Sequence, residues 1–83
     1  MAAKLFNRVA TLRRAAGLTQ AELGRAVGVT PETIGAIENG RQDATLLTAL
    51  RMAAVLRAPV PNIFREQPFP QLVGSSGGES QPT

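Results

Sequence analysis

Cysteine and histidine are both absent from the 83 residues. Without cysteine there is no disulfide framework and no thiolate metal site, and a reducing compartment suits the chain. Without histidine the commonest general base and the commonest metal ligand are missing. The six acidic residues, Glu22, Glu32, Glu38, Asp43, Glu66 and Glu79, form no tight pair in sequence. General acid–base and nucleophilic catalysis draw mainly on such groups, so no catalytic residue, no metal and no cofactor is expected and the chain reads as a non-enzyme. The aromatics are three, Phe6, Phe64 and Phe69, which makes the core aliphatic. No apolar run approaches the roughly 20 residues that span a bilayer; the expectation is no membrane association and a cytoplasmic location.

What is present is arginine. Nine basic residues, eight of them Arg, outweigh the acids and give a net charge of +3. The planar guanidinium fork matches phosphate, and the mild excess permits a polyanionic partner without demanding one. A chain of this size buries only roughly 60% of the surface its unfolded form exposes, so the core is thin.

Helical periodicity runs through most of the sequence. Leu5, Val9, Leu12 and Ala16 predict one buried face of a helix over 4–16, closed by a left-handed cap at Gly17. The Arg-rich, acid-free start also resembles a transit peptide, but a first helix of the domain accounts for it. Thr19-Gln20-Ala21-Glu22 is a capping box, with Leu18 and Leu23 at the spacing of a hydrophobic staple. That helix ends near Val27, and Gly28 supplies a turn. Thr30 caps a third helix with Pro31 at its first position, Glu32 in its first turn, Ile34 and Ile37 inward, and Asn39-Gly40 at its end. Thr45 caps a fourth, whose predicted buried stripe is Leu46, Leu50, Ala53 and Leu56, with Leu47 and Met52 off it. Ala58-Pro59 breaks it, and a brief fifth helix is expected at Pro61–Phe64. Residues 4–66 form the domain. Residues 67–83, rich in Pro, Gly, Ser and Gln, are expected to be a flexible, disordered tail. The fold class is all-α, a compact bundle of about five short helices.

Two of these helices meet across Gly28-Val29, a linker short enough to force a large crossing angle. The residues there resemble a family. Arg13-Arg14-Ala15-Ala16-Gly17-Leu18-Thr19-Gln20-Ala21-Glu22-Leu23, then Gly28-Val29-Thr30-Pro31-Glu32-Thr33-Ile34, then Ile37-Glu38-Asn39-Gly40-Arg41, are similar in register to Cro/C1-type (XRE-type) helix-turn-helix regulators. The resemblance extends over residues 4–66 and implies a lambda-repressor-like DNA-binding domain. It implies a sequence-specific transcriptional regulator of prokaryotic or phage type. Such a protein is a repressor-like homodimer that docks the helix over 30–39 in the major groove of double-stranded DNA.

Site roles follow from the resemblance position by position. Gln20 would bond a phosphate and brace the reading helix, and Thr19 would add a second phosphate contact. Asn39 and the backbone N–H of Arg41 would hold the next phosphates, with the Arg41 charge beside them. Arg13 and Glu38 would form an ion pair between helices. Thr30 heads the reading helix, and Pro31, Glu32, Thr33 and Ala36 would face the bases. Relatives often carry Gln, Arg or Asn at these positions, so direct readout is sparse and DNA shape takes a larger share. Glu32 can accept from cytosine N4 or simply complement the helix dipole. Arg51, Arg57 and Arg65 form either a solvated face or a second binding surface. The dimer contact is expected near Leu47, Val60 and Pro61.

Two other readings stay open. One is a protein-interaction module, such as an antitoxin with a protein partner, built on this scaffold. The other is a nonspecific nucleic-acid binder.

Overall fold

The computed structural model describes residues 5–70. Within them the order is β1 (Phe6–Asn7), α1 (Val9–Ala15), α2 (Gln20–Val27), α3 (Pro31–Glu38), α4 (Leu46–Leu56), α5 (Val60–Ile63) and β2 (Phe64–Arg65). The five expected helices are there. A short antiparallel ladder joins the two ends of the domain, with Phe6 opposite Arg65 and Asn7 opposite Phe64. Residues 71–83, the greater part of the expected tail, and Lys4, the expected start of the first helix, lie outside the described residues.

The caps do the local work that the sequence assigns to them. The Thr19 hydroxyl accepts the Glu22 N–H at 3.0 Å, and the Thr19 N–H donates to the Glu22 carboxylate at 2.8 Å. Thr30 and Thr45 accept the N–H groups of Thr33 and Thr48 in the same way. At the corner between α2 and α3, the N–H groups of Gly28 and Val29 both donate to the Gly24 carbonyl at 2.8 Å. Gly28 has φ +84°, a region that favours glycine. A Cβ on Gly24 would lie 2.6 Å from the Val29 oxygen. The corner therefore closes only over a bare backbone.

The core is aliphatic, as the shortage of aromatics requires. Val9, Leu23, Val27, Ile34, Ile37, Met52, Leu56 and Ile63 are buried together, with Leu12, Leu18, Val29 and Phe64 packed around them. α2 packs most extensively against α3, and next against α4.

Three sequence expectations are corrected here. The first helix begins at Val9, not at residue 4, because Phe6-Asn7 pairs with a strand far along the chain. Asn7 then receives the Val9 N–H on its side chain at 3.0 Å and donates to the Ile37 carbonyl at 2.9 Å. Ala16, placed on the buried stripe, is the exposed C-cap of α1.

In α4 the buried face is Thr48, Ala49, Met52 and Leu56. Leu46, Leu47 and Leu50 are 74%, 54% and 53% exposed. Apolar residues surround this helix on nearly every side, so two stripes fit its period. Packing against α2 and α5 selects the one with the flexible Met at its centre.

Of the expected solvated face, Arg57 is exposed, while Arg51 and Arg65 also reach backbone carbonyls. Arg51 donates to the Val27 carbonyl at the end of α2, at 3.4 Å. Arg65 donates to the Pro61 carbonyl at 3.0 Å. Arg8 and Arg65 stack on the ring of Phe69 at 4.3 and 4.8 Å from its centroid, so this residue of the expected tail is half-buried against the domain.

Candidate nucleic-acid interface

The inner half of the site is a charged network between α1, α2 and α3. Arg13 Nε donates to Glu38 Oε2 at 2.6 Å, and the two side chains are only 10% and 6% exposed. The same guanidinium donates to the Leu18 carbonyl at 2.9 Å and to Glu38 Oε1 at 3.4 Å. Gln20 Nε2 donates to Glu38 Oε1 at 2.9 Å. One carboxylate thus fixes the end of α3, the turn before α2 and the amide at the head of α2. Burial alone would push the Glu38 carboxyl up. The hydrogen bonds from Arg13 and Gln20 and the Arg13 charge outweigh it and hold the carboxyl below its ordinary value. At Glu22 the backbone N–H and the hydroxyl of Thr19 likewise lower the carboxyl.

The outer half is a shallow groove lined by Gln20, Pro31, Glu32, Gly35, Asn39 and Arg41. The structure thus brings together five of the nine residues proposed from sequence: Gln20, Pro31, Glu32, Asn39 and Arg41. Thr19 is exposed at the head of α2, with its hydroxyl committed to the cap and to Glu22. Thr30 donates to the Thr33 hydroxyl at 3.0 Å, so these two side chains serve each other at the start of α3. Thr33 and Ala36 are half-buried and do not line the groove.

The backbone N–H of Arg41 is not available to a phosphate. It donates to the Ala36 carbonyl at 2.9 Å and closes the end of α3. What Arg41 offers outward is its exposed guanidinium.

Gly35 is the groove residue that the sequence reading missed. The spacing Pro31, Gly35, Asn39 is a stripe of four-residue steps down one face of a helix, and that spacing was the available signal. α3 itself carries no Lys or Arg and two Glu, of which Glu38 is neutralised by Arg13. Positive charge reaches the groove from its edge, through Arg41.

A family model described as helix-turn-helix matches residues 9–61. The chain is 38% identical over 58 residues to YgzD of Bacillus subtilis, an uncharacterized HTH-type transcriptional regulator, covering 70% of this chain and 88% of that protein. It is 47% identical over 53 residues to an uncharacterized HTH-type transcriptional regulator of Methanothermobacter thermautotrophicus, covering 63% and 77%. Another such regulator, of Archaeoglobus fulgidus, is 37% identical over 58 residues, covering 70% and 83%.

Proposed function

The chain belongs to the Cro/C1-type helix-turn-helix family of DNA-binding transcriptional regulators, and we propose that it acts as a repressor-like homodimer that lays α3 in the major groove. The observation that supports this most is the groove where Gln20, the outer stripe of α3 and the Asn39–Arg41 segment converge. Its two ends carry donors and its middle is plain, the arrangement suited to phosphates at the rim and base edges between them.

In this reading Thr19 and Gln20 grip one phosphate at the head of α2, where the capped helix start favours an anion. Glu38 holds the Gln20 amide by one N–H, leaving the second to donate outward. Asn39 and the Arg41 guanidinium hold a phosphate across the groove. Pro31 presents an apolar surface to a thymine methyl, and Glu32 accepts from cytosine N4. Thr30, Thr33 and Ala36 shape the α3 backbone and contribute little direct contact. No cofactor or catalytic step enters, and the cytoplasm is the setting.

One α3 touches only a few base pairs, so affinity calls for two copies on an inverted repeat. Leu46, Leu47 and Leu50 form an exposed apolar face on α4, and Pro61 is exposed at the head of α5, with Val60 half-buried before it. A cluster of this kind marks an interaction surface more than isolated leucines do. Among the described residues no helix is long and apolar enough to cross a membrane.

Selection from a random duplex pool at two salt concentrations tests the proposal. The expected result is an inverted repeat with half-sites about 10 base pairs apart. Flat enrichment with steep salt dependence would mean nonspecific binding, and no binding at all would favour the interaction module.

A further inference from the structure

Gly35 stands at the middle of α3, a helix of 8 residues. Glycine in a helix interior is less favourable than alanine, because its backbone loses more freedom on folding. Nothing in the fold demands it. Its φ is not positive. The nearest atoms to a Cβ built on it belong to the Gln20 amide, 3.5 Å to the nitrogen and 3.8 Å to the oxygen, which is ordinary contact. The contrast with Gly24 is direct, since a Cβ there would lie 2.6 Å from backbone. Gly35 nevertheless lines the groove between Gln20 and Arg41.

A glycine that weakens its helix, answers to no packing constraint and lies in a binding groove fits a site of close approach by a ligand. We infer that Gly35 is a specificity-determining residue, the point where duplex DNA comes closest to the α3 backbone. This rests on the docking reading above. The bare backbone leaves the width of a side chain beside the Gln20 amide, into which a base edge enters. Discrimination at that step then comes from steric fit, at a position with no side chain to read it. This supplies readout that Pro31 and Glu32 alone do not.

The test uses the duplex that the wild-type chain itself selects. Gly35→Ala is expected to raise Tm by about 4 °C, since the helix gains and no contact is lost. It is expected to weaken binding to that duplex about tenfold, the worth of roughly one obstructed contact. Gly35→Gln should weaken it further without lowering Tm. Repeating Gly35→Ala in a Gln20→Ala background separates obstruction of DNA from displacement of Gln20. A loss that persists there supports the inference, and a loss that vanishes overturns it. A rise in Tm with unchanged affinity also overturns it, as does a fall in Tm, which would make Gly35 a packing residue. If the wild-type chain selects no sequence, the docking reading fails first.

Discussion

The two faces of α3 are built to different standards. Inward, Ile34 and Ile37 are almost wholly buried, and Glu38 is held by Arg13 and Gln20 at 2.6 and 2.9 Å. Outward, Pro31, Glu32, Gly35 and Asn39 face a groove and make few contacts of their own. The inner face fixes where the helix stands. The outer face is sparse, and in the proposed docking its shape and the donors at its rim govern what it meets. Stability and recognition are therefore separable along one helix of 8 residues, and substitutions should sort by face.

The largest effect is expected inside. Ile34→Ala should lower the unfolding free energy by about 4 kcal/mol, through lost burial and the cavity left behind, as read by denaturant titration. Glu38→Ala should lower it by about 3 kcal/mol, because Arg13 is left buried without its partner. The same carboxylate predicts an acid response. Its folded value is depressed, so its contribution is present above the unfolded value near 4.5 and is lost as pH falls through the folded one. A Glu38→Gln chain should show a shallower decline of stability below pH 4.5 than wild type, with Glu22 supplying part of what remains.

Gln20→Ala sits between the faces. It should change stability by about 1 kcal/mol, one hydrogen bond to a charged group partly offset by solvent, yet weaken binding to every duplex sequence alike in filter or fluorescence titrations. Glu32→Ala should do the least to the fold, within about 0.5 kcal/mol, and should alter which base is preferred at one position in a repeat selection. Unchanged preference would reduce Glu32 to a partner of the helix dipole.

The division between faces also explains what was legible beforehand. Caps are local, so Thr19, Thr30 and Thr45 announced three helix starts through side chains that reach only three residues on. The Arg13–Glu38 pair was accessible through resemblance alone, since nothing in composition links residues 25 apart. The β1–β2 ladder was not legible, because two-residue strands have no periodicity and their register is set by a partner across the domain. The leucine face of α4 was misassigned for a related reason. When apolar residues surround a helix, only its neighbours decide which side is buried. Gly35 carries no side chain, so residue type alone gives it no site signal, and its proposed contribution lies in that absence.

The measurement closest to the central claim is amide chemical-shift mapping of the labelled chain titrated with its selected duplex. The largest shifts should fall on Thr19, Gln20, Glu32, Gly35, Asn39 and Arg41, with Leu46, Leu47 and Leu50 responding only as a second copy joins. Shifts confined to the α4 leucines or to the Arg8–Phe69–Arg65 stack, with the outer face of α3 unmoved, would contradict it.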